Sequence, residues 1–176
     1  MSGLLTRLGF SKRSGPIIIL SVVFAFGSFL GGCQGSLFNV QGQNLEYADR
    51  IAMQGGGPRT GQYSSPDLTL DYEYVRSGDS LKISGTVRFS TSIQGNFLTI
   101  NTFNLALVLA DSQGTVLAQE GLATAYSQNV ADRVSFSKTS VIPSSTASMA
   151  FRYSGAAAGS GRSGSPTPFW HDPVTR

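Results

Sequence analysis

From Asp67 onward apolar and polar residues alternate with a period of two, the pattern of a half-buried β-strand. Leu68, Leu70, Tyr72 and Tyr74 alternate with Thr69, Asp71, Glu73 and Val75. Ser77-Gly78-Asp79-Ser80 reads as a turn. Leu81, Ile83, Gly85, Val87 and Phe89 then alternate with Lys82, Ser84, Thr86 and Arg88, which predicts a hairpin with Ile83 facing in and Lys82 facing out. Ser90 to Asn96 is a polar connection that suits a crossing between sheets. Phe103, Leu105, Leu107 and Leu109 alternate with Asn104, Ala106, Val108 and Ala110. Both sets are largely apolar, so a central strand covered on both sides is expected. Asp111-Ser112-Gln113-Gly114 turns the chain into Thr115–Ala118, and Leu122–Tyr126 either continues that strand or starts another. Val134 and Phe136 mark a further strand, ended by Pro143. Met149, Phe151 and Tyr153 share one face of a last strand, with Ala150 and Arg152 opposite.

Six or seven strands in about 90 residues, with turn signals between them and no long amphipathic helix, predict an all-β fold. The expected architecture for residues 67–155 is an antiparallel β-sandwich of immunoglobulin or fibronectin-III type, with a small closed barrel as the alternative. The Cys…Trp…Cys hallmark of true immunoglobulin domains is absent.

The flanks read differently. Residues 33–66 hold Gly55-Gly56-Gly57-Pro58 in a Gly/Ser/Gln-rich background, and a flexible tether is expected there, with a short helix over Asn44–Met53 capped by Asn44. A flexible chain of that length reaches about 30 Å root-mean-square. A chain trimmed to begin at Asp67 is expected to fold alone. Residues 156–176 read as a Gly-rich linker followed by an aromatic tail between prolines. That tail holds the only Trp and the only His of the chain. Phe169 and Trp170 are the candidate interaction residues. Burying two such rings is worth several kcal/mol at roughly 25 cal/mol per Å², so the tail is expected to dock on its own domain.

The N-terminus carries an apolar run of another kind. Ile17–Leu30 spans 14 residues, short of the roughly 20 that cross a bilayer. Arg7, Lys12 and Arg13 precede it, and Leu30-Gly31-Gly32-Cys33 closes it. This resembles the signal peptide of bacterial lipoproteins. Charge, length and cysteine position agree on a leader rather than an uncleaved anchor. The resemblance implies a leader of residues 1–32, cleavage between Gly32 and Cys33, and a diacylglycerol on the Cys33 thiol. It implies export by the general secretory route, since only Lys12-Arg13 favours the twin-arginine one. The two or three acyl chains of a processed lipoprotein hold it to the membrane, each buried CH₂ contributing roughly 0.8 kcal/mol. Gln34, where Asp would signal retention in the inner membrane under enteric rules, implies delivery to the outer membrane, facing the periplasm.

Charge changes the picture only by exclusion. Thirteen Lys+Arg stand against ten Asp+Glu, but three of the positives lie in the leader, so the mature chain balances at ten and ten. Nothing calls for a nucleic-acid partner. With Cys33 carrying lipid, no internal disulfide is available.

The chemical motifs read as structure. Gly159-Ser160-Gly161-Arg162-Ser163-Gly164 spells a dinucleotide fingerprint, yet Pro166 and Pro168 follow where a helix must open. Ser135-Phe136-Ser137-Lys138 spells the S-x-x-K of serine β-lactamases, yet on a strand an offset of three sends the pair to opposite faces. Asp71 and Glu73 stand roughly 6.6 Å apart on one strand face, near the carboxylate spacing of inverting glycosidases, but that face reads as solvated. Asp111 sits where a turn former is expected rather than a calcium ligand. A lone His supports neither a metal centre nor a Ser-His-Asp triad. No catalytic, cofactor-binding or metal-binding residue is assigned. The expected function is a non-enzymatic structural or protein-interaction module with an envelope protein as partner. The alternative is an accessory protein that binds a small ligand or glycan through exposed aromatics.

Overall fold

The computed structural model describes residues 40–159 and 165–175, all within the compact unit Leu37–Arg176. The leader, the Gly32/Cys33 junction and most of the Gly-rich fingerprint lie outside the described residues. What is described is mostly β, in antiparallel sheets with one short α-helix.

The elements in order are β1 (Asn44–Leu45), a 3₁₀ turn at Tyr47–Asp49, β2 (Ile51–Ala52), β3 (Gly56–Ser64), β4 (Leu68–Ser77) and β5 (Ser80–Phe89). Then come α1 (Thr91–Asn96), β6 (Thr99–Ala110), β7 (Val116–Asn129), β8 (Val134–Val141), β9 (Ser148–Ala158), β10 (Thr167–His171) and β11 (Val174–Thr175). One sheet runs β3-β4-β5-β8. The other runs β10-β9-β6-β7, with β2 continuing the β10 edge beside β9. β1 and β11 pair as a small ribbon. Among the described residues no ladder joins the two main sheets, so the fold is not a closed barrel.

The two sheets share one core. Leu68, Leu70, Tyr72 and Tyr74 of β4 and Leu81, Ile83, Val87 and Phe89 of β5 meet Phe103, Leu105, Leu107 and Leu109 of β6 and Met149, Phe151 and Tyr153 of β9. These are the positions that the alternation placed inward, and Lys82 is exposed as expected. Rings interlock across the gap: Tyr72 lies 5.0 Å from Phe151, and Phe89 meets Phe103 edge-on at 5.2 Å. Ser90 caps α1 by accepting from the Ile93 N–H, and this short helix carries the chain from one sheet to the other. β6 is central, between β7 and β9. β7 is one strand of fourteen residues with two irregularities of register opposite β6, which absorb Leu117 and Leu122.

Two flanking expectations need correction. The stretch expected as a tether is folded from Val40 on. β3 pairs with β4 from Gly56↔Arg76 to Ser64↔Thr69, and Val40, Leu45 and Met53 are buried. β3 lacks apolar alternation because it is an edge strand: ladder hydrogen bonds hold it, and its glycine and proline suit an edge. Gly61 is required there, since a Cβ would run into the Tyr72 ring of β4. The helix expected over Asn44–Met53 is instead β1, the 3₁₀ turn and β2. Asn44 pairs across to Thr175 rather than capping, because the neighbouring strands offer backbone partners that an isolated segment lacks. β3 covers the edge of β4, so a chain begun at Asp67 would lack this strand and bare that edge.

The C-terminal linker also starts later than expected. β9 continues through Ala158, and β10 pairs with it from Thr167↔Ala157 to His171↔Tyr153. The tail is docked as an edge strand.

Candidate interaction surface

β10 splits its two aromatic residues between opposite faces, as successive residues of a strand must be. Phe169 points inward and is buried. Its ring stacks at 6.4 Å on Phe103 and meets Phe89 edge-on at 6.0 Å. Gly155, its register partner on β9, leaves room for the ring; a Cβ there would run into it. Trp170 points outward and is 66% exposed. The core residue thus fixes the backbone that displays the indole.

Strand register extends that display across the sheet. Trp170 pairs with Ser154, Ser154 with Asn104, and Asn104 with Thr124. The next outward row runs Pro168, Ala156, Thr102 and Tyr126. Tyr126 is also 66% exposed. Two aromatic side chains therefore stand at the opposite edges of a strip of small, uncharged residues, three strand spacings or about 14 Å across the strip and one row apart along it. Next to the strip, Arg152 of β9 pairs with Asp172 after β10, 2.8 Å apart, and also donates to Gln119.

Beside β10, a rim of polar groups ties the tail to the other sheet. The Tyr153 hydroxyl lies 2.8 Å from both Ser65 Oγ and Asp67 Oδ2. It has one proton to give, and the carboxylate, an acceptor only, takes it. The His171 ring packs 5.9 Å from both Tyr153 and Tyr63. Its Nε2 is 3.2 Å from Asp49 Oδ1, but the N–H direction makes no hydrogen bond there; the contact is one of proximity. Burial, reinforced by Asp49 and Asp67, pushes the Tyr63 hydroxyl up to about 12. Burial likewise raises Tyr153. Ser65 is locked in a local turn, its Oγ accepting from the Leu68 N–H at 3.2 Å. The group is a brace, with no serine–histidine bond of the kind that activates a nucleophile.

The remaining sequence motifs are not assembled into sites. Asp71 and Glu73 do share the outer face of β4, along a shallow open groove with Thr60, Ser84 and Thr86. A hydrogen bond from Gln62, helped by Arg88, holds the Asp71 carboxyl below the usual carboxylate range. That favours the ion, the opposite of what a general acid needs. Ser135 reaches Thr86 across the outer face, whereas Lys138 turns away to Glu120, 2.7 Å distant, and to the Gly121 carbonyl. Asp111 Oδ1 accepts from the backbone of Gln113 and Thr115 and is spent on the turn. Among the described residues no three His, Cys, Asp or Glu side chains cluster as metal ligands.

No protein family, curated protein or solved structure matches this chain. The surface must therefore be judged on its own chemistry. Of the two residues singled out from sequence, Trp170 lies on it and Phe169 lies beneath it. Tyr126 went unnoticed. Its period-two context could have marked it as outward-facing, but only the register across four strands puts it on the same strip as Trp170.

Proposed function

We propose that this chain is a lipid-anchored protein of the bacterial cell envelope, held by acyl chains on Cys33 and acting without catalysis as an interaction module. Under enteric sorting it occupies the outer membrane and faces the periplasm, where it binds an envelope protein. The observation that carries the interaction reading is the division of labour on β10, with Phe169 locked in the core so that Trp170 stands exposed on a rigid strand. An exposed indole so held loses little freedom on binding, which is why Trp is enriched at interface hot spots.

The finer fold assignment is an immunoglobulin or fibronectin-III-like sandwich. Its support is the strand order: β4-β5-β8 follows A-B-E, β10-β9-β6 follows G-F-C, and β7 takes the extra position beside C. β3 is an addition at the outer edge of the first strand.

Crosslinking in intact cells followed by purification of the acylated protein tests the function. Trp170→Ala should lose the captured partner while keeping full thermal stability. Unchanged capture would refute the role given to Trp170. A second reading, glycan binding, draws on Tyr126 at the far edge of the same uncharged strip. Aromatic faces at both edges and hydroxyl or amide groups between them suit a neutral sugar chain. Soluble envelope glycan fragments should then shift Trp170 emission, and Tyr126→Ala should remove that shift.

A further inference from the structure

Val40 is buried, 3% exposed, at the start of the described chain. Only seven peptide steps separate it from Cys33. Even fully extended, such a link spans at most about 25 Å. This is a far shorter leash than a tether ending at Pro66, and it limits how the domain can sit on a bilayer.

Val40 lies at one particular end of the sheets. It packs with Val108, Ala110 and Val116, and the segment after it bonds to the β6–β7 turn through Gly42 N–H to Val116 O and Leu45 N–H to Gly114 O. The β4–β5 and β8–β9 connections lie at the same end, where the Asp79 carbonyl accepts from the Ile142 N–H and the Ala110 carbonyl from the Ala147 N–H. The other end, with α1 and the β7–β8 connection, is displaced by the twelve residues of β6, roughly 35 Å. A 25 Å link cannot hold Val40 that far above the membrane. The domain therefore cannot stand on its far end.

We infer that the mature protein stands on the lipid surface on its Val40 end, with the Asp111–Gly114 turn at the headgroups and Trp170 and Tyr126 held clear. The occupant of this end is the bilayer that receives the Cys33 lipid, so the inference rests on the lipoprotein reading above. Ser112 and Gln113 of that turn are exposed. Measured along β6 from Ala110, the strip starts about 20 Å higher at Asn104 and about 27 Å higher at Thr102. A partner approaching Trp170 would thus meet no steric block from the membrane.

The test uses the acylated full-length protein in phosphatidylcholine vesicles that contain a headgroup-linked nitroxide lipid. Trp170, the only tryptophan, reports the raised strip directly. A Gln113→Trp, Trp170→Phe double variant moves the single reporter to the proposed base. The base reporter should lose most of its emission to the nitroxide and Trp170 little. A Gly/Ser insertion of twenty residues after Ser36 should abolish the difference. Equal quenching at the two positions, or stronger quenching at Trp170, in protein whose mass shows the acyl chains would overturn the orientation and leave the lipoprotein reading intact. Protein without acyl mass on Cys33 would overturn both.

Discussion

The outer face of the β10-β9-β6-β7 sheet has two halves with opposite fates. At the Val40 end, Val108, Ala110 and Ala150 point outward and are fully covered by Val40, Leu45, Val116 and Val174. At the other end, Asn104, Thr102 and Ser154 point outward from the same strands and stay exposed, flanked by Trp170 and Tyr126. The strands are continuous, so backbone geometry does not distinguish the halves. Side-chain chemistry does. Where the outward residues are apolar, the segments at Val40–Leu45 and Val174 fold over them as a miniature second core. Where they are small and polar, nothing is gained by covering them, and the two large aromatics remain exposed with no structural reason to be there. Exposed aromatics grouped on one strip, unlike scattered ones, call for a functional explanation.

This contrast predicts a graded set of stability effects. Phe169→Ala should be the most damaging, about 3–5 kcal/mol, because it empties a site ringed by Phe89, Phe103 and Tyr153. Urea unfolding of the variant measures it. A cost below about 1 kcal/mol would mean that the tail is only loosely attached. Leu45→Ala should follow at about 2–5 kcal/mol, since this residue, 1% exposed, is the central cover of the apolar half. A small cost would show that the cover is incidental.

The polar rim beside β10 should respond to alkali. The hydroxyl of Tyr63 titrates at about 12 in the folded protein against about 10 when unfolded. Its folded value is raised, so its contribution is complete below pH 10 and is lost as pH rises through 12. Tyr63→Phe should leave stability at neutral pH nearly unchanged and remove about 1 kcal/mol of the alkaline loss, after allowance for its partial exposure. Unfolding curves at pH 8 and 11.5 would show it, and identical slopes in the two proteins would count against the burial of that hydroxyl. Smallest of all, Trp170→Ala and Tyr126→Ala should each change stability by no more than about 0.5 kcal/mol. A loss of several kcal/mol from either would mean that the bare half is structural after all.

Much of the fold is legible in the sequence, and the failures share one cause. The alternations of β4, β5, β6, β8 and β9 name their core faces correctly because a half-buried strand writes its environment into every second residue. The two-sided apolar pattern of β6 announces a strand covered on both sides, and its outer face is covered at Val108 and Ala110 but bare at Asn104. Gly56–Ser64 carries no such record. It is an edge strand whose outer side meets water, and its Gly-Gly-Pro start looks like coil. Thr167–His171 is concealed in the same way behind a glycine-rich stretch. The candidate surface was half legible: Trp170 stood out as the only tryptophan, while Tyr126 needed the cross-strand register.

By itself the sequence determined the strands with an alternating pattern, their core-facing residues, the turns between them, and the resemblance of residues 1–33 to a lipoprotein leader. Each of these is local, set by charge, length or a period of two within one stretch. Tertiary structure alone decided that residues 40–66 belong to the domain, that the tail is its last edge strand, and that Trp170 and Tyr126 share a face. Those outcomes depend on which strands become neighbours. That choice is settled by burying the inward faces of both sheets together and by satisfying edge hydrogen bonds with whatever chain lies near, and neither leaves a mark within a single segment.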